Sequence, residues 1–156
     1  MDHSMSMSTA LAGFLLLLLS TGSAWGQEAG LDVVPEEAEA EVRAALQHYL
    51  RGGATGDGNH YRKVFHPEAR LFWILGGDLA TRTSEEYIAR ARGTPAEDEG
   101  RRSRRITMVD VTGDAAVARI ELNYPGALIT DYMSLLRIDG EWRVVNKIFH
   151  VRRRGR

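Results

Sequence analysis

The dipeptide Asp139-Gly140, set between two β-rich runs, constrains the fold of this chain more than any other feature. Ile129 to Ile138 precede it and Glu141 to His150 follow it, both rich in β-branched and aromatic residues. A two-residue type I′ turn needs positive φ at both central positions, which Asp-Gly tolerates well. The last third of the chain is therefore predicted to be one β-hairpin. A few polar side chains interrupt its apolar faces, the pattern of a sheet that lines a pocket as well as a core.

The turn also decides which side chains meet. A two-residue loop pairs Ile138 with Glu141, Leu135 with Val144, Met133 with Asn146 and Asp131 with Ile148. One face then carries Asp131, Asn146 and His150 together, at the end away from the turn. A three-residue loop with a bulge shifts every pairing by one. Asp131 then faces Phe149 with Lys147 diagonal to it, and Thr130 faces His150. In that register Asp131 and Lys147 form an ion pair on one face, while Ser134 and Asn146 pair on the other.

Asp-Gly favours the first register, which leaves Lys147 as an interface or solvated residue. Asp131 and His150 are then the candidate catalytic pair, a carboxylate orienting an imidazole that titrates near neutral pH. Such a pair suits proton abstraction beside a carbonyl, or dehydration. The plainer alternative is that Asp131, Asn146 and His150 satisfy one another at the sheet end.

Upstream, Pro35-Glu36-Glu37 opens a helix whose apolar residues Ala38, Val42, Ala45, Leu46, Tyr49 and Leu50 repeat at helical spacing. Gly52-Gly53 is expected to end it. A second helix fits Asn59 to Phe65, stopped by His66-Pro67. Ala69 to Leu75 reads as a strand, and Gly76-Gly77 turns it into a partner near Leu79 to Arg82. Thr83-Ser84-Glu85-Glu86 has capping-box spacing for a third helix through about Arg92. Strands over Arg104 to Val111 and Ala115 to Tyr124 then join at Gly113-Asp114. Strands joined by short turns are antiparallel, so the order describes an α+β fold with helices on one sheet face.

The N-terminus carries a short apolar run, Ala10 to Ser20, too brief to span a bilayer. Residues 1–26 read as a secretory signal peptide cleaved before Gln27, although Met1 to Ser8 contains no Lys or Arg. Residues 27–34 form a loose mature N-terminus, residues 35–151 one domain, and residues 152–156 a basic tail. The product is expected to be secreted or periplasmic, with no stable membrane span. Removing Asp2 with the leader leaves 20 basic and 20 acidic residues, since the full chain has 20 and 21. That balance offers no general attraction to nucleic acid. With no cysteine there is no disulfide, thiol nucleophile or thiolate metal site. No His-Glu-x-x-His spacing exists, so neither metal nor cofactor is expected.

Several segments together resemble a known family. They are His66-Pro67-Glu68-Ala69-Arg70-Leu71, the helix start Ser84-Glu85-Glu86-Tyr87, Val111 to Ala118, and Asp131 to Leu136 followed by Gly140 to Lys147. In order and spacing they resemble the lumazine-binding branch of the nuclear transport factor 2-like superfamily, over nearly all of the mature chain. The resemblance implies a cone: a curved antiparallel sheet of about six strands closed by three helices around a cavity. It also implies a homodimer built on the sheet. That superfamily includes isomerases, dehydratases, and binding and assembly proteins, so the fold does not choose a function.

On this resemblance the expected partner is a small molecule held in the internal cavity. Asn146 with the aromatic residues Tyr49, Tyr61, Trp73 and Tyr87 are the candidate ligand contacts, since flat rings stack on flat ligands. Alternatives are an isomerase or dehydratase using Asp131 and His150, or a non-enzymatic assembly module. The outward residues Tyr132, Leu136, Ile138, Val145 and Phe149 would supply the dimer contact.

Overall fold

The computed structural model describes residues 35–155. The expected signal peptide and loose mature N-terminus lie outside the described residues. No helix among those described is long and apolar enough to cross a membrane.

Helix α1 spans Pro35–Thr55 and buries Ala38, Val42, Leu46 and Tyr49, one stripe at helical spacing. It does not stop at Gly52-Gly53. A Cβ on Gly52 would sit 2.7 Å from the Tyr61 ring, and the Gly53 carbonyl accepts from Arg104 Nη2 at 2.7 Å. The two glycines let another element approach the helix closely; they do not break it. The real terminator is Gly56, whose φ of +72° marks a left-handed cap.

Helix α2, Gly58–Val64, starts at Asp57, whose carboxylate accepts from the Asn59 amide at 2.8 Å. Strands β1 (Phe65–Leu75) and β2 (Asp78–Thr83) form a hairpin across Gly76 and Gly77. Helix α3, Ser84–Ile88, carries the predicted capping box between Thr83 and Glu86. It is shorter than expected. Bonds from the Arg90 and Ala91 amides to the carbonyls three residues back tighten the chain into turns before Gly93.

After a short turn, strands β3 (Ser103–Thr112), β4 (Ala115–Tyr124), β5 (Ala127–Ile138) and β6 (Glu141–Arg153) form the meander. The sheet order is β2-β1-β6-β5-β4-β3. Every neighbouring pair is antiparallel except β1 with β6, which run parallel. Short-turn reasoning could not reveal that pair, because its strands are far apart in sequence. Arg152 and Arg153 extend β6, so two of the arginines of the expected basic tail are strand residues.

The inner face of the sheet packs on the helices through Leu71, Ala118, Ile120, Met133, Leu135 and Val144. Arg104, near the start of β3, has a side chain only 7% exposed. It forms a bidentate pair with Glu99 at 2.6 and 2.8 Å, besides its bond to Gly53. It thus ties the end of α1 to the open end of the sheet. Register shifts in β3 near Thr107 and in β6 at Val145 accompany the curvature of the sheet.

Candidate functional site

The final hairpin begins as its turn chemistry requires. Asp139 (φ 51°) and Gly140 (φ 80°) form a two-residue loop, with Ile138 opposite Glu141 and Leu135 opposite Val144. One step later Ser134 faces Asn146, leaving Val145 without an opposite number. This bulge moves the rest of β6 by one residue, and a one-residue slip sends each side chain to the other face.

The pairings beyond the bulge are therefore those of the less favoured register: Asp131 with Phe149, and Thr130 with His150. The proposed Asp131–His150 pair does not form. His150 is exposed on the outer face, and Asn146, half-buried opposite Ser134, shares that face. Lys147 corrects the expectation in the opposite sense. It faces inward and is only 4% exposed.

Three polar side chains meet in the interior. Asp131 is 0% exposed, and its Oδ2 accepts from the Tyr49 hydroxyl at 2.6 Å. Lys147 Nζ donates to the Tyr49 oxygen and lies 2.9 Å from Asp131 Oδ1. No donor among the described residues is aligned with Oδ1, so its contact with Lys147 is an ion contact more than a hydrogen bond. Tyr49 comes from α1, Asp131 from β5 and Lys147 from β6, so only the folded chain assembles the cluster.

Aromatic rings surround the ammonium. Its nitrogen lies 4.8, 5.3 and 5.0 Å from the ring centres of Tyr49, Tyr87 and Phe149. Tyr61 meets Tyr87 edge-on at 5.1 Å, and Trp73 stacks on Phe149 at 5.3 Å with the Arg82 guanidinium 5.0 Å from the Trp73 ring centre. Burial lowers the Lys147 pKa, against the opposing pull of the Asp131 carboxylate. Burial, and then the Asp131 charge, push the Tyr49 hydroxyl well above its ordinary range. The Tyr87 hydroxyl is pushed well up by burial first and Tyr61 second.

A recess of about 360 Å³ opens beside this cluster, lined by Tyr61, Tyr87, Gly52, Gly53, Arg82 and Arg102 among others. Tyr87 belongs to both, lining the recess and flanking Lys147. The structure thus brings Tyr49, Asp131, Tyr61 and Tyr87 to one end of the interior, with Trp73 half-buried behind Phe149. Among the described residues no group of three His, Asp or Glu side chains is placed to hold a metal.

Sequence reasoning offered the Asp131–Lys147 pair only as the less favoured alternative, because the bulge that produces it is a tertiary event. One signal was available: Val144-Val145 puts two β-branched residues side by side where alternation allows one to face inward.

The family model described as Putative lumazine-binding matches residues 37–150. The chain belongs to this family. Its fold is that of nuclear transport factor 2-like proteins. One such protein of unknown function, from Shewanella baltica, is 26% identical with a TM-score of 0.68, covering 75% of this chain and 95% of that one. Another, from Silicibacter pomeroyi, is 25% identical with a TM-score of 0.66, covering 75% and 98%. A curated relative of this Putative lumazine-binding chain is the aldolase FrzH of Cladobotryum sp., 24% identical over 112 residues. That alignment covers 70% of this chain and 87% of the relative.

Proposed function

We propose that this chain binds a small organic molecule in the recess at Tyr61 and Tyr87, with the Tyr49, Asp131 and Lys147 cluster lying behind Tyr87. The observation that carries this is the buried ion pair. Two opposite charges removed from water rarely add stability over apolar residues of equal volume, so another use accounts for them better. The family name supports a flat heterocyclic ligand, and Tyr61 and Tyr87 offer aromatic surface for one in the recess.

Lumazine is the first probe, followed by quenching of intrinsic fluorescence. Tyr87→Ala and Lys147→Met are each expected to weaken binding at least about tenfold, the loss of one charged or stacking contact. Unchanged affinity in both variants, with unchanged circular dichroism, would remove the site from the recess.

A second reading, an enzyme acting on a carbonyl compound, is favoured by the buried amine and by the aldolase-named relative. Its acid–base groups would be Asp131 and Tyr49, the residues in contact, and not Asp131 and His150. Export to the periplasm or beyond is proposed from the N-terminal run alone.

The outer sheet face is proposed to pair with a second copy of this chain. Tyr132 and Leu136 are exposed there as expected, and Ile148 (50% exposed) replaces Phe149, which the bulge turns inward. Tyr132 and Ile148, with Phe72, Ile74 and Leu79, border an apolar groove of about 510 Å³. Sedimentation at micromolar protein should report a dimer, and Ile148→Glu a monomer with its secondary structure intact. A parent that sediments as a monomer throughout would refute the pairing.

A further inference from the structure

Of the 20 basic residues in this chain, eighteen are arginine and only two, Lys63 and Lys147, are lysine. The chain meets almost every need for positive charge with guanidinium groups. It does so even for a cation with a largely buried side chain, Arg104 against Glu99. A buried charge therefore does not by itself account for lysine at position 147. A guanidinium stays protonated and cannot condense with a carbonyl, whereas a lysine amine can lose its proton and do so.

We propose that Lys147 is an imine-forming nucleophile for an aldehyde or ketone borne by the molecule in the adjoining recess. The inference rests on the binding role given to that recess. Lys147 is the amine best placed for the reaction, since Lys63 is exposed on the last turn of α2. Tyr49 and Asp131 both touch it and are the groups a condensation needs. Asp131 Oδ1, at 2.9 Å with no aligned donor, is free to take a proton from the ammonium. Burial of Lys147, only 4% exposed, favours the neutral amine.

The step balances without an oxidant or reductant. The ammonium gives one proton to Asp131, and the nitrogen lone pair then forms a bond to the carbonyl carbon. The carbonyl oxygen takes a proton from the Tyr49 hydroxyl, giving a carbinolamine. The Tyr49 phenolate recovers its proton from the nitrogen of the adduct, which frees a lone pair there. A second proton on the adduct oxygen, from Asp131, then lets it leave as water while that lone pair supplies the C=N bond. The net change is ammonium plus carbonyl giving a protonated imine plus water. An electron sink of this kind stabilises a carbanion at the neighbouring carbon.

The test uses the native full chain with 4-hydroxybenzaldehyde and cyanoborohydride, followed by intact mass and peptide mapping. A single reduced adduct on Lys147 is expected, forming roughly tenfold or more faster than on Lys63, because only Lys147 has an acid and a base, Tyr49 and Asp131, in contact with its nitrogen. Lys147→Arg should abolish the fast adduct. If that variant fails to fold, mapping of the native chain decides alone. Adducts confined to Lys63 and the N-terminal amine, or equal rates at both lysines, would overturn the proposal. Fluorescence quenching by the same aldehyde is recorded in parallel. Binding without an adduct at Lys147 overturns the imine and leaves the recess standing; neither binding nor adduct overturns both.

Discussion

Replacing Asp131 with Asn is expected to destabilise the folded chain by about 3–5 kcal/mol at neutral pH, the usual cost of stranding one member of a buried ion pair. Against a total stability of about 5–15 kcal/mol, that is a large loss. The double variant Asp131→Asn with Lys147→Met should recover much of it, because neither charge then remains in the interior. Urea unfolding of the parent, both single variants and the double variant measures the coupling. A double variant as unstable as the two single losses added together would show that the charges do not interact.

The same pair carries a pH signature. Lys147 has a folded pKa below its unfolded value, so between the two the folded chain binds fewer protons than the unfolded one. Its contribution therefore rises with pH across that interval, and is lost as pH falls through the folded value. Without Asp131 the amine loses the anion that holds its proton, and the interval extends to lower pH. The deficit of the Asp131→Asn variant should thus shrink from neutral to alkaline pH. A deficit that grows instead would place the charge balance elsewhere.

Replacing Gly56 with Ala is the second large loss, about 3 kcal/mol or more, with Gly93→Ala as its control. Both glycines are left-handed, with φ of +72° and +75°, and an L side chain there costs about 1–2 kcal/mol. Only Gly56 adds a collision: its Cβ would lie 2.2 Å from the Thr94 carbonyl oxygen, whereas nothing lies within 4 Å at Gly93. Relief requires moving the loop that the Gly93 amide holds to the Gly56 carbonyl at 2.9 Å. Thr94 lines the recess, so the variant should also weaken ligand binding. Equal losses at the two positions, by urea unfolding, would mean that the loop yields freely.

Local signals were read correctly where the local chain holds the decisive energy. The capping box at Thr83 and Glu86, the Asp139-Gly140 turn and the apolar stripe of α1 each depend on residues within a few positions of one another. Gly52-Gly53 misled because glycine reads as a helix end from propensity alone. Here the Tyr61 ring and the Arg104 guanidinium need the space that a missing Cβ leaves.

The candidate site shows the same division more sharply. Tyr49, Tyr61, Tyr87 and Asp131 could be named from the sequence as pocket residues, since aromatic and acidic side chains at inward positions are few. Which cation Asp131 meets could not. The turn determines pairing only as far as Leu135 and Val144, and the single unopposed residue Val145 then exchanges His150 for Lys147. By itself the sequence determined the elements, their order and the turn between the last two strands. The tertiary structure decided the parallel pairing of β1 with β6 and the bulge in β6. Both follow from how a curved sheet packs against its helices, an energy summed over contacts distant in the chain and absent from any short window of residues.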